Sequence, residues 1–302
     1  MHWITFLRVP NLVIVALTQW VFGYVLIYPA LQAAALAKTM DHLQFALLSA
    51  ATLCLTAGGY LINDLSNIEG DRINRPGRAL PSGKVDVATA QWWYAVTSLG
   101  GFLCSALLSF QLGREKLLFL YPLAWALLYW YSRRGQRLPL VGNLLVALFC
   151  AGVSSILWAA EWPALQNLAE RVPLVYRYTK ALFIWYASFA FLSNLFRELV
   201  KDIEDLQGDL WMGMHTLPVV VGPRRAKIIA VFIGLLLLVL LAFQAWGQDR
   251  ALPVILLCVG TGLPLGGAIV LLYFSTSKRQ VRWSGYLIKT AMLGGLASVF
   301  AI

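Results

Sequence analysis

The chain has 302 residues, of which 60% are hydrophobic and only 13% charged, with a formal net charge of +10. A soluble domain carries about a quarter charged residues, so this composition excludes a soluble enzyme, a disulfide-stapled secreted module and a disordered tail. The apolar residues form long blocks, not ten-residue alternating stretches, which points to membrane-spanning helices and away from a transmembrane barrel.

Runs long enough to cross about 30 Å of hydrocarbon fall near 10–29, 43–62, 87–110, 115–132, 138–160, 178–196, 225–246, 251–274 and 283–302. The first has no small-residue cleavage site and reads as a retained span. All four cysteines (Cys54, Cys104, Cys150, Cys258) lie inside these runs without metal-like spacing, as small buried hydrophobes would. Nine spans place the termini on opposite sides of the membrane. Of the 24 Lys and Arg, sixteen fall in connections on the N-terminal side and seven on the other, with Lys289 inside the last run. Positive charge is retained in the cytoplasm. The expectation is an integral protein of the cell membrane with a cytoplasmic N-terminus and an external C-terminus. Basic residues sorted by connection in this way call for no nucleic-acid partner.

Nine of the fourteen acidic residues crowd into two connections on the N-terminal side, 63–86 and 197–222. In the first, a helix continued from the second run would align Asn63, Asn67 and Asp71 as one stripe of oxygen ligands, with Asp64 beside it. Pro76, Gly77, Pro81 and Gly83 then force a loop that carries Arg75, Arg78 and Lys84. In the second, Asp202, Asp205 and Asp209 fall within about 60° of one another on a helix. Three such carboxylates need a cation. Mg²⁺ fits, because it takes carboxylate oxygens and completes its shell with substrate phosphates. Carboxylates interleaved with Arg and Lys are what a diphosphate site requires, and a phosphate ester at the mouth of a membrane bundle implies a lipid-tailed substrate. Either loop taken alone could also be a solvated connection with internal ion pairs.

These residues carry a resemblance. Asn63-Asp64 with Asn74-Arg75-Pro76-x-Arg78 and Leu80-Pro81-Ser82-Gly83 is similar to the first signature of the UbiA superfamily of intramembrane prenyltransferases. Arg197-Glu198, Lys201-Asp202-Ile203-Glu204-Asp205, Gly208-Asp209 and Thr216-Leu217-Pro218 resemble its second. The resemblance implies an all-α polytopic membrane protein, a single domain over 1–302, with nine transmembrane helices around a central cavity and a cytoplasmic helical cap. Two Mg²⁺ ions and the diphosphate of an isoprenyl donor would sit under that cap. Asn63 and Asn67 would face one metal and Asp205 and Asp209 the other, with Asp64, Asp71 and Asp202 as neighbouring acidic positions, Asp71 and Asp202 also within reach of a metal. Arg72, Arg75, Arg78, Lys84, Lys201 and Lys289 would meet the diphosphate, although Lys289 could instead snorkel to the interface.

Two positions depart from the family pattern. The middle Asp of the first motif is here Asn67, whose amide brings no charge to a metal. The lysine that follows a Tyr-Ser pair after the fourth span corresponds to Gln136, in Tyr131-Ser132-Arg133-Arg134-Gly135-Gln136-Arg137 with Gly142-Asn143 behind it. Arg133, Arg134 or Arg137 could supply the missing charge or simply follow the positive-inside rule. Tyr131, Asn143 and Asn11 are candidates to touch the substrate; Asn11 could equally begin the first helix. The resemblance implies that the donor ionises to an allylic carbocation. Motif wording is closest to enzymes that transfer a geranylgeranyl group to geranylgeranylglyceryl phosphate. Prenylation of an aromatic acid, of the 4-hydroxybenzoate or dihydroxynaphthoate type, is the alternative. From a different class, a Mg²⁺ transporter would need polar groups through the membrane, and the spans offer few.

Overall fold

The computed structural model describes residues 6–248 and 250–301, so Ile302 of the last run lies outside the described residues. These residues are helical, without strands. The long elements are α1 (Val9–Ala33), α2 (His42–Ser66), α3 (Ile68–Asn74), α4 (Val87–Gln111), α5 (Leu120–Arg133), α6 (Val141–Ala160), α7 (Trp162–Arg171) and α8 (Pro173–Trp211). They continue with α9 (Leu217–Val221), α10 (Pro223–Trp246), α11 (Ala251–Tyr273) and α12 (Lys278–Ser298).

Local chemistry sets the boundaries. Asp41 and Gln44 form a reciprocal capping box at the start of α2, and Ser277 and Gln280 form another at the start of α12. The Asp86 side chain caps α4 through the Thr89 N–H. Pro173 and Pro223 open α8 and α10, where a missing N–H costs nothing. Gly222, at φ 83°, makes the turn before α10 that a side chain would resist. Within α1 and α11 the chain widens by one residue per turn at Phe22–Ile27 and Leu256–Gly262. Each widened stretch ends one residue short of a proline, Pro29 or Pro264, whose ring would otherwise strike the carbonyl of the preceding turn.

Among the described residues six helices are long and apolar enough to cross a membrane: α1, α2, α4, α6, α10 and α11. The other three expected spans differ in kind. α5 itself has 14 residues, but a 3-10 turn at Glu115–Phe119 runs directly into it, and together they approach the roughly 20 that hydrocarbon requires. α12 begins with a charged turn. α8 has 39 residues, about 58 Å at 1.5 Å per residue, nearly twice the roughly 30 Å hydrocarbon thickness. Its apolar first half and charged second half are therefore one rigid rod.

α8 is the axis of the bundle, packed against α6, α10, α12, α7 and α3. Its Phe183, Trp185, Tyr186, Phe189 and Phe196 are buried. Phe22 of α1 meets Phe183 and Tyr186 edge-on at 5.9 and 6.0 Å, the offset geometry that aromatic quadrupoles favour. The aromatic residues between α1 and α8 thus fill that interior instead of lining a void there. Trp92, Phe110, Phe232, Phe243 and Trp246 are exposed, as lipid-facing side chains would be.

Candidate active site

The C-terminal ends of α2, α5 and α8 and the N-terminal ends of α1, α6 and α12 converge at one face of the bundle, joined by side-chain contacts between them. The expected continuous helix through the first acidic segment is interrupted. α2 stops at Ser66, and Asn67 takes φ −115° and ψ 15° before α3 restarts. Asn favours such helix-terminal conformations because its amide competes for backbone groups. The break tips α3 onto α8.

Asn74 fastens that contact. Its Nδ2 donates to the Asp205 carbonyl at 2.8 Å, and its Oδ1 accepts from the Gly208 N–H at 3.1 Å. A Cβ on Gly208 would come within 2.2 Å of Asn74 Nδ2 and 2.8 Å of the Gly70 carbonyl, and one on Gly70 within 2.3 Å of Met212 Sδ. Glycine is needed at position 208, where the Gly70 backbone carbonyl blocks a side chain, whereas at position 70 only the flexible Met212 side chain would have to move. The Lys278 ammonium adds a contact to the Asn74 carbonyl at 3.3 Å.

Two adjoining cavities result. The smaller, about 60 Å³, is lined by the oxygen ligands: Asn63, Asn67, Asp71, Asp202, Asp205 and Asp209, with Tyr131, Gln136, Asn143 and Lys201. Asp202, Asp205 and Asp209 share the face of α8 expected from their spacing. Asp202 accepts from Asn143 Nδ2 at 2.7 Å and Asp209 from the Thr216 hydroxyl at 2.9 Å. Asp205 Oδ2 meets Arg75 Nη2 at 2.9 Å, while its Oδ1 is buried with no hydrogen-bond partner among the described residues. Loss of water around these groups pushes the Asp202 carboxyl up to about 8 and Asp209 to about 6, and raises Asp205 as well.

The larger cavity, about 580 Å³, is cationic. Arg75, Arg78, Lys201 and Lys289 line it, and so do Arg8, Arg197 and Arg282. Asp64 belongs here and not to the smaller cavity: Arg8 pairs with it directly and Arg78 reaches it at 3.3 Å. Arg78 also holds Asp71 at 2.6 Å, and Glu204 bridges Arg282 (2.8 Å) and Arg75 (3.7 Å). Behind this wall Glu198 is buried between Arg197 at 2.6 Å and Lys201 at 3.1 Å. Burial pushes its carboxyl up, but the two cations outweigh this and hold it at about 2.

Other expected residues lie elsewhere. Arg72 is exposed and pairs with Glu69 at 2.9 Å. Lys84 and Arg137 are exposed and line neither cavity. Asn11 lines neither; its side chain hydrogen-bonds Tyr60, over whose ring Arg8 stacks at 4.7 Å. Sequence reasoning overlooked Arg8, Arg197 and Arg282 in the cationic wall, the clasp of Asn74, and the contacts of Gln136. Arg8 carried a signal in retrospect, since it is a lone charge at the mouth of the first apolar run.

The donor set suits a hard divalent cation. It consists of carboxylate and amide oxygens, and the orphaned Asp205 Oδ1 is a buried acceptor that lacks a positive partner. No three Asp, Glu, His or Cys among the described residues converge as a closed metal centre would. An open arrangement is what Mg²⁺ uses, because it keeps waters and takes phosphate oxygens from substrate.

The fold and site define an intramembrane helical bundle with an acidic and a basic pocket at one end, and the model of the UbiA prenyltransferase family matches residues 14–291. The chain belongs to that family. It is 36% identical over 178 residues to the digeranylgeranylglyceryl phosphate synthase of Thermococcus gammatolerans, covering 59% of this chain and 57% of that relative. Over 256 residues it is 31% identical to the protein of the same name from Methanopyrus kandleri, covering 83% and 84%. The alignment thus spans under three-fifths of the Thermococcus protein's length but most of the Methanopyrus one. Among solved structures, a UbiA homologue from Aeropyrum pernix superposes with a TM-score of 0.64 at 19% identity, covering 92% and 96%. A UbiA homologue from Archaeoglobus fulgidus bound to DMAPP and Mg²⁺ gives 0.54 at 16% over both full chains. At these identities the structures establish a shared fold.

Proposed function

We propose that this protein transfers an isoprenyl group from a prenyl diphosphate to a lipid acceptor, with geranylgeranyl diphosphate as donor and geranylgeranylglyceryl phosphate as acceptor. The observation that carries this reading is the adjacency of the two cavities: Asp205, with one oxygen unpartnered, and Asp209, held by the neutral Thr216 hydroxyl, stand beside a wall of Arg75, Arg78, Lys201 and Lys289. The relatives' shared name, and the DMAPP and Mg²⁺ of the Archaeoglobus homologue, support it.

Asn63, Asp71, Asp205 and Asp209 would hold Mg²⁺, two ions in this reading, which when bound neutralises charge on the diphosphate. Arg75 and Arg78 are pre-positioned as counter-charges. They cover Asp205, Asp64 and Asp71, and their guanidinium groups line the larger cavity within reach of a diphosphate there. Lys201, held by Glu198, offers a fixed ammonium. These groups favour heterolysis of the bond between the allylic C1 and the diphosphate oxygen, with the electron pair leaving on diphosphate. The acceptor hydroxyl oxygen then bonds to C1 and releases its proton, so no covalent enzyme intermediate is needed.

In the same reading the chain is one domain of nine spans, α5, α8 and α12 crossing with the six strongly apolar helices, in the cell membrane. The positive-inside distribution supports a cytoplasmic N-terminus and site in this reading, with α3 and α9 as the cap. The test is to incubate purified protein with Mg²⁺, geranylgeranyl diphosphate and a panel of geranylgeranylglyceryl phosphate, 4-hydroxybenzoate and dihydroxynaphthoate, and to read product mass. A Mg²⁺-dependent product from the lipid phosphate is expected. A product from an aromatic acid alone would move the assignment to quinone chemistry, and Mg²⁺ flux into liposomes with no prenylated product would replace it with transport.

A further inference from the structure

Gln136 sits on the turn between α5 and α6, outside both acidic segments, yet its side chain reaches Asn63 and Asn67 of the first. Its orientation follows by elimination. The Ser132 carbonyl, 2.6 Å away, can only accept a hydrogen bond, so Gln136 must face it with Nε2. Gln136 Oε1 therefore points the other way and accepts from Nδ2 of Asn63 at 2.9 Å and of Asn67 at 2.7 Å. Gln136 Nε2 also donates to Asn67 Oδ1 at 3.1 Å. Asn67 and Gln136 are thus paired amide to amide through two hydrogen bonds. Asn63 gives Gln136 only its Nδ2 and keeps its Oδ1 uncommitted to that residue.

Positions 67 and 136 are also the two at which the chain departs from the pattern it resembles, Asp at the first and Lys at the second. Because their side chains touch, the two departures amount to one exchange. The neutral amide pair carries the same summed charge of zero that an Asp–Lys ion pair at these positions would carry. Restoring either charge alone would leave an unpaired ion in a partly buried cluster, which is costly.

We propose that Gln136 is a positioning residue that sets the amide orientation of Asn63 and Asn67, so that the first acidic segment presents Asn63 Oδ1 to a divalent cation, and that residues 67 and 136 act as one coupled unit. The inference rests on the reading that the smaller cavity takes such a cation. An ammonium at 136 has donors and no acceptor, so both asparagines would have to turn their oxygens toward it. The cation would then face their NH₂ groups and an added positive charge.

The experiment measures Mn²⁺ affinity of the full chain in detergent by electron paramagnetic resonance, without prenyl substrate, alongside the melting midpoint. Gln136→Lys is expected to weaken Mn²⁺ binding at least about 10-fold, and Asn67→Asp combined with Gln136→Lys to restore it to within about 3-fold of the parent. Should the single lysine variant not fold, Gln136→Leu, which removes the acceptor without adding charge, is expected to weaken binding about 3-fold or more. Unchanged affinity in the Gln136 variants, or equal loss in the single and double variants, overturns the proposal. Asp205→Ala separates the two levels: if it loses Mn²⁺ while the Gln136 variants do not, only this inference fails, and if it also keeps Mn²⁺, the cation reading itself fails.

Discussion

Carboxylates are buried at both ends of the bundle, and the two ends satisfy them in opposite ways. Glu161, at the junction of α6 and α7, is fully buried, and its two oxygens accept the backbone N–H groups of Thr39 at 2.7 Å and Met40 at 3.2 Å. Those donors are part of the chain and cannot swing away. At the other end Asp205 leaves one oxygen unpartnered, and its other oxygen, like those of Asp64 and Asp71, is covered by an arginine side chain that can rotate. A carboxylate saturated by backbone is a fastening. One held by mobile cations, or by nothing, is available to a ligand.

Substitution should separate these roles. Asp205→Ala removes a proposed metal ligand and relieves a buried unsatisfied oxygen, so turnover should fall at least about 1,000-fold, on the scale of losing a transition-state electrostatic group, with the melting midpoint unchanged or raised. Glu161→Ala should do the reverse. It strands two backbone N–H groups, a loss of about 1–3 kcal/mol in stability, while turnover per folded molecule stays within about 2-fold. Denaturation in detergent beside a product-mass assay reads both. Full turnover in the Asp205 variant, or loss of turnover without loss of stability in the Glu161 variant, would erase the contrast.

The comparison sharpens with pH. Burial pushes Asp209 up to about 6 and Asp202 to about 8, above the roughly 3.9 of an exposed Asp. Between about pH 4 and pH 8 the folded protein therefore binds more protons than the unfolded chain, and the metal-free protein loses stability as pH rises through that window. Mg²⁺ has to displace those protons. The rise in melting midpoint on adding Mg²⁺ should accordingly be larger at pH 8 than at pH 6, and it should persist in the Glu161→Ala protein. A rise of equal size at both pH values would mean that these carboxyls do not take the metal.

How far the sequence reveals this site depends on the distance over which its parts act. Asp202, Asp205 and Asp209 were legible because they lie on one uninterrupted helix, where spacing alone decides which residues share a face. The stripe of Asn63, Asn67 and Asp71 was legible in composition but not in geometry, since nothing in the linear pattern marks Asn67 as the point where α2 breaks and α3 tips toward α8. Asn74 bonds groups 131 and 134 residues away, and Arg8 reaches Asp64 across 56. Such contacts depend on how helices pack, which periodicity does not encode.

The smallest expected effect tests whether position in space or proximity in sequence makes an arginine functional. Arg72 and Arg75 are three residues apart in one motif, and both were assigned to the diphosphate. Arg72 is 59% exposed and paired at i,i+3 with Glu69, itself 52% exposed, an arrangement worth at most a few tenths of a kcal/mol. Arg75 lies on the wall of the larger cavity, 2.9 Å from Asp205. Arg72→Ala should therefore change turnover and the KM for prenyl diphosphate by less than about 2-fold, and Lys84→Ala likewise. Arg75→Ala should raise that KM about 10-fold or more, because it removes a charge aimed at the cavity. Steady-state kinetics on the three variants decides it: equal losses in Arg72→Ala and Arg75→Ala would mean that α3 turns its outer face inward when substrate binds, and that the covered and uncovered arginines exchange places during the reaction.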